Sequence, residues 1–368
     1  MKKIEPLGYN TKKAAEIIDS RGLEGVFLGS AENIYYATGC PTLPGTGNPI
    51  LYALRNALPS FAFIDKEGKT TLFTWFGVTL GVEFSSEVVT YADIAGAKDE
   101  LRSFFKDKRK IGVDYGVPPY ALEIIKNNSA GIEYADDLMI QLRLIKSQKE
   151  IEMLEKSAKI SQDVLKNIGS RLREGITRES LIQEIRSMMM QFGATAVDHL
   201  TVAFGPSNPE IVIEEMLTKG ELITIDIGAV YEGYVSDIRR LYYSGDTVPD
   251  EELKLYEIVK ATLDSLQESI SLGMTFSQVY DLAVKLYEKN GLQPLFTSAG
   301  HSIGLVTEEA HFSPESDLTV SEDMVINLEL YVPDKDGIMI GDEETYLVTS
   351  RGLKKITDLD RKIFVLNL

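Results

Sequence analysis

The chain carries 368 residues, a formal net charge of −18 and a single cysteine, Cys40. That acidic balance argues against nucleic acid or an anionic membrane as a partner. One thiol excludes an internal disulfide and a zinc–thiolate cage, and it points to a reducing cytoplasm. The opening MKKIEPLGYNTKKAAEI lacks the apolar core of a signal segment, and no apolar run reaches the roughly 18 residues that span a bilayer.

The length predicts two domains rather than one core. Residues 1–139 read as a small α/β domain. Strands are expected over 25–28, 60–64, 70–75 and 110–113, and helices over 12–20, 95–106 and 119–128. The aromatic stretch 33–39, followed by the Pro/Gly-rich 41–49, predicts a strand entering a surface loop; the alternative is a rim or lid over another site. A charged stretch over 142–168 then predicts one long amphipathic helix, with Ile151, Leu154, Ala158 and Val164 on its apolar face. It opens a second domain, 140–368.

The second domain contains an internal repeat. Gly175-Ile176-Thr177 and Gly273-Met274-Thr275 each open a helix with Thr as N-cap, and each helix ends at a glycine, Gly193 or Gly291. A β-hairpin follows in each half. In the first, over 222–242, a Glu232-Gly233 turn sets Tyr231 against Tyr234. Asp226 then faces Arg239, and Asp237 lies on the same sheet face as a diagonal neighbour, about 7–8 Å away at the backbone. Acids inside strands are poor strand formers, so a cation is expected between them. The competing reading is a solvated face with Arg239 and Arg240 as counter-charges. In the second hairpin, pairing Val332 with Ile338 across the loop 333–337 puts Glu329 opposite Gly341 with Glu343 on the same face. A bulge near Gly341 would instead turn Glu344 or Asp342 inward. Of the three histidines, His301 sits between Gly300 and Gly304 and between the acid-bearing hairpins, which favours a ligand role. His199 and His311 read as structural or rim residues.

Taken together, Asp226, Asp237, His301 in GHSIG, Glu329 and Glu343 resemble the pita-bread metallopeptidases, the family of methionine aminopeptidase, aminopeptidase P and prolidase. The two-domain length and the Arg143, Lys146-Ser147, Glu150 pattern look most like prolidase and its aminopeptidase relatives. The resemblance implies a creatinase-like N-terminal α/β domain and a C-terminal pita-bread domain with an internal two-fold repeat. It implies two divalent ions per chain, manganese, cobalt, iron or zinc, with Asp237 and Glu343 bridging, Asp226 on one ion, and His301 with Glu329 on the other. Four carboxylates and one imidazole form a hard donor set suited to such ions. A bridged hydroxide would attack an amide carbonyl, and Glu329 or a neighbour would pass the proton to the leaving amine. A small peptide or amide substrate and a homodimer are also implied.

The chain departs from that family's pattern. The stretch 205–212 holds no histidine where the family carries one in a Pro-His context, and Glu308 stands where a second is carried. Of the family's Thr-Arg-Thr after the second Asp, only Arg240 is kept. Glu210, Glu308 and His311 are candidate replacements. Losing an oxyanion-stabilising group lowers a rate about 10²–10³-fold. An Xaa-Pro dipeptidase-like hydrolase, with Glu329, Arg240 and Glu308 as catalytic candidates, is therefore weighed against two alternatives: a metal-binding member without turnover, and a non-peptidase amide hydrolase of the creatinase type.

Overall fold

The structure is a computed structural model that describes every residue except 129–130, 209–210, 212–213, 294–296 and 368. The chain folds as two units, Met1–Glu150 and Ile151–Leu368. Among the described residues no helix is long and apolar enough to cross a membrane.

The first unit runs β1 (Lys2–Ile4), α1 (Thr11–Ser20), β2 (Gly25–Leu28), α2 (Ala31–Thr38), α3 (Pro49–Ala53), β3 (Phe61–Asp65) and β4 (Thr70–Trp75). Then come β5 (Val82–Phe84), β6 (Glu87–Tyr91), α4 (Ile94–Phe105), β7 (Lys110–Val113), α5 (Pro119–Asn128), β8 (Gly131–Tyr134) and α6 (Asp136–Leu144). A mixed sheet in the order β6-β4-β3-β2-β7-β8 carries a core of Phe27, Phe61, Phe63, Phe73 and Phe105. The short strands β1, β5, β6 and β8 are not among the strands expected from the sequence.

Two expectations in this unit are corrected. The stretch 33–39 lies mostly in helix α2, not in a strand. Ser30 caps its start by accepting from the Asn33 N–H, and Gly39 ends it at φ 71 with its N–H on Tyr35 O. End-capping outweighs the β-preference of Ile34, Tyr35 and Tyr36. The single helix expected over 142–168 is broken: α6 stops at Leu144 and α7 (Gln148–Ile168) starts afresh. A capping box makes the break, with Ser147 N–H donating to Glu150 Oε2 at 2.7 Å and Glu150 N–H donating to Ser147 Oγ at 3.3 Å.

The second unit repeats one layout. Helix α7 and helix α8 (Arg178–Gln191) precede β9 (Ala196–Phe204), β10 (Leu222–Tyr231), β11 (Tyr234–Val235) and β12 (Ile238–Tyr243). Helix α9 (Asp250–Ser269) and helix α10 (Phe276–Lys289) precede β13 (Gly300–Ser302), β14 (Ala310–His311), β15 (Val325–Pro333) and β16 (Met339–Thr349). Strands β17 (Gly352–Lys355) and β18 (Phe364–Val365) close the chain. Thr177 and Thr275 cap α8 and α10 as expected, and Gly193 and Gly291 follow them at φ 99 and φ 73. One five-stranded sheet is built on β10, with β9 on one side and β11, β12 and β18 on the other; the second runs β14-β13-β15-β16-β17. Apolar residues of α7 and α8, among them Val164, Ile168, Leu181 and Ile185, pack on Ile223, Ile225 and Ile227 of β10. Period-2 alternation turns the intervening residues, Thr224 and Asp226, to the opposite face.

The first hairpin has the expected register, Tyr231 against Tyr234 and Asp226 against Arg239. The second is displaced by two residues: Val332 pairs with Ile340, not Ile338, and Glu329 directly faces Glu343. Asp334 causes the shift. Its N–H donates to Ile338 O, and its Oδ1 accepts from Asp336 and Ile338 N–H, so the chain reverses over 334–338 and the ladder begins at Pro333 and Met339. An even displacement preserves the face, so both acids still point one way.

Candidate metal centre

On the face of β10 turned away from α7, the Asp226 carboxylate accepts from Arg239 Nε at 3.1 Å and Nη2 at 2.8 Å, both at Oδ2. Its Oδ1 is shielded from solvent with no hydrogen-bond partner. Strand β10 is irregular between Ile227 and Ala229. There the Ala229 N–H donates to Ser161 and Ser236 hydroxyls at 3.1 Å, and Ser157 on α7 donates to Ala229 O at 2.7 Å. These serines supply what the interrupted ladder leaves open and steady the turn that delivers Asp237. From the second hairpin, Asn327 Nδ2 and Thr345 Oγ1 donate to Asp237 O at 3.4 and 3.1 Å.

Two histidines reach Asp237 from different strands. His301 on β13 places Nε2 3.3 Å from Asp237 Oδ2, while its Nδ1 lies 3.3 Å from Ser302 O. His199 on β9 places Nε2 3.1 Å from Asp237 Oδ1 and 3.4 Å from Asp226 Oδ1, with Nδ1 3.0 Å from Asp198 Oδ2. The reading of His199 as a structural or rim residue is corrected: it stands inside the cluster. Ligand atoms of His199, Asp226 and Asp237 all lie within 4.8 Å of one another. The pattern Asp198-His199 at the head of an alternating strand is the signal that could have found it. His311 is exposed, its Nε2 3.6 Å from Glu308 Oε2.

The second hairpin contributes Glu329 and Glu343. Asn327 Nδ2 donates to Glu343 Oε1 at 2.5 Å, whereas the buried Glu343 Oε2 has no partner. The neighbours weighed against Glu343 are engaged elsewhere. Asp342 pairs with Arg361, and Glu344 with Arg240. Arg240 is turned away from the cluster: it pairs with Ile225, is fully buried, and donates to Glu343 O, Leu359 O, Asp360 O and Glu344 Oε1. The arginine beside the acids is Arg239. Glu308 lines the mouth of the cavity, while Glu210 lies outside the described residues.

Charge crowding shows in the protonation preferences. Burial opposes a charged imidazole at His199, but the carboxylates of Asp198, Asp226 and Asp237 hold it well above its ordinary value. Burial likewise opposes charge on His301, and Asp237 raises it to about 9. Burial and the neighbouring Asp237 and Asp226 push Glu343 well above the carboxylate range; burial also raises Glu329. Against the same burial, Arg239 and His199 keep Asp226 low, and His199 and His301 keep Asp237 low. The four acids thus sit together only with protons or guanidinium between them. That demand for positive charge, with two orphaned carboxylate oxygens, fits divalent metal. A cavity of about 460 Å³ opens onto the cluster. The first unit has a larger, mainly apolar cavity of about 630 Å³ beside Ile34, Trp75 and Tyr120, with no carboxylate in its lining. Its one thiol, Cys40, is pushed up to about 12 by burial, and the carboxylates gather instead at the smaller cavity.

Residues 152–350 match the sequence profile of metallopeptidase family M24, and residues 11–145 match that of the creatinase/prolidase N-terminal domain. Among curated proteins, the Xaa-Pro dipeptidase of Pyrococcus horikoshii is 26% identical over 368 residues, covering 97% of this chain and 99% of that protein. The Xaa-Pro dipeptidase of Pyrococcus furiosus is 26% identical over 365 residues, covering 96% and 98%. The solved prolidase from P. horikoshii superposes with a TM-score of 0.82 at 24% identity, over 96% of this chain and 99% of that one. The fold is thus a creatinase-type N-terminal domain followed by a pita-bread domain.

Proposed function

The chain belongs to metallopeptidase family M24, and on that premise we propose that it hydrolyses a peptide C–N bond at a dinuclear metal centre, with Xaa-Pro dipeptides and their amides as the first substrates to try. The observation that carries this reading is the pair of buried carboxylate oxygens that accept no hydrogen bond, Asp226 Oδ1 and Glu343 Oε2, inside one cluster. Asp226, Asp237, His301, Glu329 and Glu343 would hold the ions, drawn from manganese, cobalt, iron or zinc. Bound metal supplies a Lewis acid and a water acidified toward neutrality. The protein's own groups do the rest. Arg239 fixes the Asp226 carboxylate, and Asn327 fixes that of Glu343. Glu329, whose carboxyl is raised by burial, takes the proton from the attacking water and returns it to the leaving amine.

The cavity also bears on substrate choice. Its basic lining side chains, His199, Arg239 and His301, all face carboxylates already, and Glu308 adds an acid at the mouth. A free substrate carboxylate meets repulsion there, so a neutral or cationic group is preferred. The comparison of Gly-Pro with its amide tests this: faster cleavage of the amide is expected, and a better free acid would overturn it. The broader reading is tested by elemental analysis after Mn²⁺ equilibration and desalting. About two ions per chain are expected, and none in an Asp226→Asn, Glu343→Gln variant. Metal without hydrolysis of any peptide or amide would leave the binding-only alternative. The single buried free cysteine suits a reducing cytoplasm, and a homodimer is the assembly that light scattering would test.

A further inference from the structure

The sequence pattern places one imidazole, His301, in the ligand set. The fold places a second opposite it. Strands β9 and β13 occupy the same position in the two halves of the repeat, each preceded by a Thr-capped helix and each flanking an acid-bearing hairpin. Each carries a histidine whose Nδ1 meets an oxygen and whose Nε2 points at Asp237, one at each carboxylate oxygen. At His199 the oxygen is Asp198 Oδ2, which also accepts from the Thr307 hydroxyl. Anchoring Nδ1 on a carboxylate frees Nε2 for a cation and orients the ring, the arrangement common behind metal-ligating histidines. The backbone makes room for it: a Cβ on Gly228 would lie 2.4 Å from His199 Cε1 and 2.5 Å from Nδ1. The same Nε2 also lies 3.4 Å from Asp226 Oδ1, a buried oxygen that accepts no hydrogen bond.

We propose that His199 is a sixth protein ligand of the metal centre, completing with Asp226 and Asp237 a nitrogen-containing position that prefers zinc or cobalt to manganese. The proposal rests on the dinuclear reading above and adds a nitrogen to the half of the centre otherwise held by oxygens alone. Imidazole suits zinc, cobalt and iron, whereas an oxygen-only position suits manganese and magnesium.

Calorimetric titration of the full chain with Zn²⁺ and with Mn²⁺ tests it. His199→Ala is expected to weaken one of the two zinc sites by at least about tenfold and to reduce the zinc-over-manganese ratio at that site. Asp198→Asn, which keeps the ring, is expected to lose about 10–100-fold. Unchanged zinc affinity and an unchanged metal ratio in His199→Ala would overturn the proposal while leaving the dinuclear reading intact. A wild type that takes no metal would remove both. Crystals of the wild-type protein soaked in Zn²⁺ need no variant: anomalous density about 2.1 Å from His199 Nε2 is expected, and zinc bound at Asp226 and Asp237 but out of reach of that nitrogen would overturn the proposal.

Discussion

Asp237 is approached by an imidazole from each half of the second unit, and this has a consequence for stability. Burial disfavours the charged His301 ring, but Asp237 outweighs it and lifts the group from an ordinary 6.5 to about 9. A raised pKa stabilises the folded state fully below the unfolded value and ceases to do so as pH rises through the folded value. Metal-free protein is therefore expected to lose melting temperature between pH 6.5 and about 9. Each pH unit costs at most about 1.4 kcal/mol through this group, or about 3–6 °C for a unit of this size. Metal-loaded protein should show no such decline, because the ligating nitrogen no longer carries a proton. Thermal melts across that range with and without chelator check it. For the same reason metal uptake should release protons, measurable in weakly buffered solution, and affinity should fall as pH is lowered.

At the scale of elements, adjacent residues on β12 do different work because strand residues alternate in direction. Arg239 faces the acids; Arg240 faces a buried layer of carbonyls and Glu344. Arg240→Leu leaves Glu344 short of a charge partner in the interior, and about 3 kcal/mol of stability should be lost in urea unfolding. Turnover per folded molecule should stay within about tenfold. Arg239→Leu should instead weaken metal binding, and in metal-free protein it should also cost stability, because the buried Asp226 carboxylate loses its guanidinium partner. Helix boundaries obey similar local rules. Ser147→Ala removes one arm of the capping box at the start of α7 and should cost about 1 kcal/mol. That box is a Ser-x-x-Glu pattern visible in the sequence, but the amphipathic period on both sides of it hides the break. The aromatic run of α2 misled for the opposite reason: its side chains prefer strands, and only the Ser30 and Gly39 caps declare the helix.

Across the whole molecule, the repeat brings four carboxylates and two imidazoles from distant parts of the chain into one cluster whose charge is balanced by protons or by metal. Binding to the folded state alone stabilises it by mass action, about 2.7 kcal/mol for each site at a hundredfold excess over Kd. Chelation should therefore lower the unfolding midpoint, and restored metal should raise it in proportion to the logarithm of its concentration. A midpoint indifferent to metal would mean that the acids are neutralised by protons and Arg239 alone.

Alternation of apolar and polar residues, the Glu232-Gly233 turn and the repeated Gly-x-Thr caps determined by themselves that Asp226, Asp237, Glu329 and Glu343 would share faces of two hairpins, because local periodicity sets which way a strand residue points. Even a register two residues off in the second hairpin left that conclusion standing, since an even shift keeps parity. What only the tertiary structure decided was which groups meet between the sheets: His199 drawn in beside Asp237, Arg240 turned out, Glu343 chosen over Asp342 and Glu344. Those outcomes depend on strands remote in sequence, on the space left at Gly228 and on the buried partners that claim competing charges, none of which a local pattern encodes.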